Sequence, residues 1–277
     1  MPHHHQTTLE TVRATDGAQL SFSLYGGHLC NWRTAQGIER LYLSPLADLQ
    51  GKGAIRGGMP VIFPQFASDG PLPKHGFARE RLWSLVESTV RADGAGTVEL
   101  ALRENAATLA VFPHPFELRL RVVFAGEALH AALTVHNTGR APFEFTAALH
   151  TYLACALAST RVHGLEQCAF IDSAAGGRSA AAQGAALEFS GEVDRRYHAV
   201  PGPVELHDAL GRVRITQTGF ADVVVWNPGA ALAKKLADLP DDGFAHFVCI
   251  ESAAIDKPVQ LAAGAQWTGS QRLEASK

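Results

Sequence analysis

The sequence is most informative at first in what it lacks. No Cys-x-x-Cys pair occurs among the four cysteines Cys30, Cys155, Cys168 and Cys249. Their scatter fits reduced thiols and a cytoplasmic protein better than a disulfide framework. The N-terminus MPHHHQTTLETVRA has no apolar stretch of signal-peptide length. Nowhere does an apolar run approach the ~20 residues of a membrane span. Charge is also scarce: charged residues make up 18% of the chain and the net charge is −3, which argues against nucleic-acid or membrane partners. No spaced cluster of His, Cys, Asp and Glu suggests a metal. Repeats, heptads and Gly/Ser-rich linkers are missing as well. The chain is therefore read as a single domain over 1–277, with residues 1–7 flexible and no role for His3 to His5; a monomer is expected.

What the chain has is alternation. Gln19 to Leu24, Thr97 to Leu102 and Phe116 to Val122 place apolar residues at every second position. The last turns at Ala125-Gly126-Glu127-Ala128 and returns through Leu129, Ala131, Leu133 and Val135, which predicts a hairpin with one buried face. Further strands are expected over Phe143–Tyr152, Gly191–Asp194, Val204–His207, Arg212–Gln217, Asp222–Trp226 and Phe244–Glu251. Helical spacing is confined to Ala231–Leu239 and a weaker Asn105–Val111. Residues 174–186 read as a long loop. Many short strands with few helices define an all-β class, and two large stacked sheets with a concave face are expected.

Ile55–Trp83 breaks this pattern. It carries eight prolines and glycines, so it is no regular strand, yet Val61, Ile62, Phe63, Phe66 and Phe77 argue against a solvated linker. A stiff, half-buried loop presenting Arg56, Lys74, His75, Arg79 and Arg81 suits a polar pocket; a surface crossover with ordinary salt bridges is the alternative. In Phe143–Tyr152, alternation sets His150 and Tyr152 on the face away from Phe143, Phe145, Ala147 and Leu149. Glu251 stands alone in the apolar run FVCIESAAI. A buried carboxylate needs a partner or a raised pKa, so Glu251 is either a strand-end residue paired with a cation or a general base tuned towards neutrality.

IRGGMPVIFPQF followed by GPLPKHGFAR resembles the hexose-6-phosphate mutarotases (glucose-6-phosphate 1-epimerases) of the aldose 1-epimerase group. ALHTYL, GEVDRRY, WNP and VCIES fit the same family. The resemblance implies a galactose-mutarotase-like supersandwich that interconverts the anomers of a hexose 6-phosphate, without a cofactor. It implies His150 as acid at the ring oxygen and Glu251 as base at O1, on opposite sides of C1. It also implies Arg56 and Arg79 as phosphate ligands and Asp194 as a sugar-hydroxyl acceptor. Two readings stay open for His75, which either positions substrate or supports a neighbour. Lys74 stands where the family usually has glutamine, and Gly229 where a bulky aromatic often follows WNP. A non-catalytic carbohydrate-binding module and an epimerase of unphosphorylated aldoses are the alternatives.

Overall fold

Strands with one apolar and one polar face are stable only when the apolar faces are stacked. That is the arrangement in the structure, a computed structural model that describes residues 9–277. The expectations for residues 1–7 and for His3 to His5 lie outside the described residues. A back sheet of eight strands runs Arg161–His163, Val204–Asp208, Gly211–Thr218, Gln266–Ser276, Ala128–Asn137, Phe116–Ala125, Gly96–Arg103, Ser84–Val90. The front sheet runs Arg178–Ala180, Phe170–Asp172, Val193–Tyr197, Asp222–Asn227, Phe247–Leu261, Phe143–Leu149, Val61–Ile62. The short strand Tyr152–Ala154 also pairs with Phe247–Leu261. Glu10–Arg13, Gln19–Ser23 and His28–Arg33 form a small third sheet. All these strand pairs are antiparallel.

The main core lies between the large sheets. Phe145, Ala147, Leu149, Val225 and Ile250 from the front meet Leu118, Leu120, Val122, Leu133 and Leu273 from the back. The hairpin forms as its alternation implies, with Ala125 paired to Ala128 around Gly126-Glu127. Gly126 takes the positive φ that so tight a turn requires.

Several expectations are corrected. The helix expected over 231–239 is only Gly229–Ala233. Beyond it, Lys235, Leu236 and Leu239 bond three residues back, and these tighter turns bury Leu239 against Ala233 and Phe247. Asn105 caps a helix over Ala106–Val111, its side chain accepting from the Ala107 and Thr108 amides. Within the loop expected at 174–186, Arg178–Ala180 adds a strand to Phe170–Asp172. Residues 143–152 do not form one strand: Phe143–Leu149 stops where the Thr151 amide bonds back to the Leu149 carbonyl. Phe244, Ala245 and His246 fall in a 3-10 turn, and the strand expected to end at Glu251 runs from Phe247 on to Leu261. Its pairing with Phe143–Leu149 shifts register between Ala254 and Val259. Asp222 holds that bulge, its Oδ2 accepting from the Ile255 and Asp256 amides at 2.9 Å.

Candidate active site

Register explains how distant stretches of sequence meet. Phe247–Leu261 sets Ser252 opposite Leu149 and Cys249 opposite Tyr152, so Glu251 falls opposite His150. On its other side Glu251 pairs with Val224, which pairs in turn with Arg196. The neighbouring row is Tyr152, Cys249, Trp226 and Asp194. Residues two apart on a strand share a face, so both rows project from the front sheet away from the main core. Apolar clusters flank them, Ile62, Phe66, Ala148, Val224 and Ala253 on one side and Tyr152, Phe247, Cys249 and Leu239 on the other.

The stretch Ile55–Trp83 closes over this floor. Val61 and Ile62 pair with Leu149 and Ala148 at the sheet edge, and the Gln65 amide ties Ala67 to Leu72. His75 is held in the left-handed region at φ 69°, a conformation that a non-glycine residue rarely keeps without surrounding support. Its amide donates to the Ala67 carbonyl, and its Nδ1 accepts from the Ala67 amide at 3.3 Å. Nδ1 is thereby the unprotonated ring nitrogen, leaving Nε2–H as the donor. The ring packs edge-on to His150 with centroids 5.5 Å apart.

The result is a cleft lined by Arg56, Lys74, His75, Arg79, His150, Asp194 and Glu251; Arg81, also expected on the pocket side of the loop, does not line it and donates to the Glu80 carbonyl instead. A second, outer lobe lies against it and shares Arg56, Arg79 and Tyr152 as the partition. The sequence reading did not single out Arg196, Trp226 or Phe66, which also line the cleft. Arg196 pairs with Asp69 of the loop and lies 5.2 Å from the Phe66 ring centre. In the sequence, Asp194-Arg195 reads as a charged turn, and Arg196 is set apart from Arg195 by the pairing with Asp222–Asn227.

His150 Nε2 lies 3.2 Å from Glu251 Oε1, and both side chains are buried. The two groups are cross-strand neighbours on one floor. Burial first, then the Asp194 carboxylate, pushes Glu251 well above the usual glutamate range. Burial first, then Arg79 and Arg56, pushes His150 well below the usual imidazole range. His75 is depressed mainly by burial, with His150 and Arg79 adding to it, and burial raises Asp194. Glu251 Oε2 and His150 Nδ1 have no hydrogen-bond partner, a costly arrangement for buried polar atoms.

The arginines stand on the side wall. Arg56 Nη1 donates to Tyr152 Oη at 3.1 Å, and Nε lies 3.2 Å from Asp238. Burial opposes the Arg56 charge, but Tyr152 and Asp238 outweigh it and the pKa is raised. Arg79 donates to the Lys74 carbonyl at 2.9 Å. Burial lowers its pKa, and its Nε, 4.0 Å from the Glu80 carboxylate, has no hydrogen-bond partner. Gly229 does not line the cleft; at φ +60° a Cβ there would come within 2.7 Å of the Glu192 amide nitrogen. Its role is close backbone packing. Among the described residues no group of three or more His, Cys, Asp and Glu could hold a metal ion, and no helix is long and apolar enough to cross a membrane.

Fold alone does not assign a function to stacked sheets with an ionisable pair at the floor of a polar cleft; comparison with known proteins does. The aldose 1-epimerase family model matches residues 9–274. A protein of Cenchrus ciliaris named "Putative glucose-6-phosphate 1-epimerase" is 36% identical over 266 residues, covering 91% of this chain and 80% of its own. The crystal structure of a "putative mutarotase" from Salmonella typhimurium superposes with a TM-score of 0.88 at 30% identity, over 97% of this chain and 91% of that one. A galactose mutarotase related enzyme from Lactobacillus acidophilus shares the fold at 15% identity and a TM-score of 0.74, over 98% of each chain. The chain belongs to the aldose 1-epimerase family and is an isomerase of the epimerase kind.

Proposed function

We propose that this protein interconverts the α and β anomers of a hexose 6-phosphate, glucose 6-phosphate foremost, with Glu251 and His150 moving the protons and Arg56 and Arg79 holding the phosphate. The observation that carries the reading is the 3.2 Å contact of a buried imidazole and a buried carboxylate beside two largely buried guanidinium groups. O1 and the ring oxygen are bonded to the same carbon, so two side chains in mutual contact can reach both. Glu251 takes the O1 proton while His150 delivers one to the ring oxygen. The C1–ring oxygen bond breaks and C1–O1 becomes a carbonyl. After rotation about C1–C2 the ring oxygen attacks the other face, His150 recovers its proton and Glu251 returns one to O1.

The pKa directions favour an uncharged resting pair, protonated Glu251 beside neutral His150. The working pair, carboxylate and imidazolium, contains the same number of protons. One transfer across the contact converts the first into the second, with no exchange with solvent. Arg196, then Lys74 and Arg79, favour the Glu251 charge. Asp194, in the next row, accepts from sugar hydroxyls, and charge-assisted bonds of that kind are the stronger ones. The planar guanidinium of Arg79 or Arg56 matches a phosphate bidentately. A binding module would have no use for a buried, under-satisfied acid–base pair. Magnetisation-exchange NMR tests the reading: anomer exchange should be accelerated far more for glucose 6-phosphate than for free glucose. Equal acceleration of both sugars, or of neither, would overturn it.

A further inference from the structure

Directly behind the floor of the cleft lies a polar cluster that the chemistry above does not use. Gln271 belongs to the back sheet, on Gln266–Ser276, and its side chain crosses the gap between the sheets. Its Nε2 donates to Ser252 Oγ at 2.9 Å and to the Ile250 carbonyl at 3.2 Å. Its Oε1 accepts from the Thr151 hydroxyl at 2.5 Å. Gln271, Thr151 and Ser252 are all fully buried. Along the same strand Leu273 and Ala275 are inward neighbours in the main core, so an apolar residue is the default at 271. A buried amide has to be hydrogen-bonded to be tolerated there, and this one makes three bonds.

The partners are the notable part. Thr151 directly follows His150, and Ser252 directly follows Glu251; Ile250 precedes Glu251. Thr151 also sits where Phe143–Leu149 breaks off, its amide bonded back to Leu149 and its carbonyl accepting from the Ile250 amide. The backbone that presents His150 is thus irregular: its amide donates to the Pro60 carbonyl and the Tyr152 amide to the Gly58 carbonyl, so it is held by bonds to the loop and to Ile250 and not by one continuous ladder.

We propose that Gln271 is a positioning residue: from behind the sheet it ties together the two backbone positions beside His150 and Glu251 and so sets the separation of that pair. This rests on the acid–base reading above. A displacement of about 1 Å in a reacting group can cost about a hundredfold in rate, so a small looseness here is read out strongly in turnover.

The test replaces the cluster by apolar groups of similar shape, because removing one partner alone leaves the others buried and unsatisfied, whereas removing all can be nearly neutral for stability. The variants are Gln271→Met alone, the mild single changes Ser252→Ala and Thr151→Val, and the triple variant. With glucose 6-phosphate, kcat of the folded variants should fall, about tenfold or more for the triple. KM should stay within about twofold, and the pH profile of kcat should move. His150 ring-nitrogen NMR signals should shift in the same variants, a readout that needs no turnover. Full kcat in a triple variant that melts like wild type overturns the proposal, as does a change confined to KM or unmoved His150 signals in the folded single variants. Wild-type protein with no anomerase activity would sink the acid–base reading instead, and the NMR comparison would still decide whether Gln271 sets the His150 environment.

Discussion

On the outer face of the back sheet, Arg119 reaches Glu99 and Glu117, and Arg121 reaches Glu87 and Glu99, in contacts between 2.7 and 3.2 Å with the guanidinium groups open to water. On the exposed side of the front sheet, Glu251, His150 and Arg79 are sunk among aromatic and aliphatic side chains, each with a buried polar atom that nothing satisfies. The two faces draw on similar residue types at the same alternate-strand spacing. The back-sheet charges keep their hydration and are matched one to another, so they hold little free energy. Those of the front sheet are desolvated and incompletely matched, which shifts their proton affinities and leaves bonding capacity for a ligand. What separates a solvated ladder from a reactive floor is the loop Ile55–Trp83 laid across one sheet and not the other.

The sharpest way to break this contrast is to remove the reacting groups. Glu251→Gln and His150→Asn should each lower the rate of anomer exchange by about 10²- to 10⁴-fold while the protein stays folded; NMR exchange rates together with a thermal melt check both halves. Next in size is the clamp. Arg79→Ala should weaken binding of glucose 6-phosphate by roughly ten- to a hundredfold, the worth of about 1.5–3 kcal/mol for a hydrogen bond to a charged group, with free glucose little changed. Calorimetric titration of both sugars measures it.

A third, smaller effect concerns stability against pH. The folded Glu251 value is raised, so between about pH 4.3, the unfolded glutamate value, and the higher folded value the unfolded chain releases the proton first. Stability therefore falls as pH rises through that window, and Glu251→Gln removes this slope. The folded His150 value is depressed, so stability falls as pH drops below about 6.5, a slope that His150→Asn removes. Urea melts across pH separate the two, because their signs are opposite. Smallest of all, Arg121→Ala on the back sheet should cost about 0.2–1 kcal/mol and leave exchange rates unchanged, as denaturant titration and the same NMR assay would register.

The sequence disclosed those parts of the fold whose burial is one-sided. Phe116–Ala125 and Ala128–Asn137 bury every second residue, so alternation found them. Ser84–Val90 is almost wholly exposed as an edge strand, and nothing in its pattern asked for a sheet. Gln266–Ser276 went unseen because its inward positions include Gly269 and Gln271, which do not read as core. At the site, Glu251 was legible because a lone acid in an apolar run contradicts its surroundings. Arg196 was not, since arginine in a charged tripeptide contradicts nothing; its place depends on a strand pairing some thirty residues further along the chain. The contact between His150 and Glu251 was equally hidden, because it is a property of register and not of either segment.

The bulge held by Asp222 has a mechanical corollary. Between Ala254 and Val259 the long strand spends residues that its partner does not, so it works as an expansion joint. A residue gained or lost at 255–258 changes the slack in that joint, while Ala253 and Ala254 stay locked to Ala148 and Ala147. The two stretches of the strand on either side of the joint are thus registered against Phe143–Leu149 separately, Ser252 to Ala254 on one side and Val259 to Leu261 on the other.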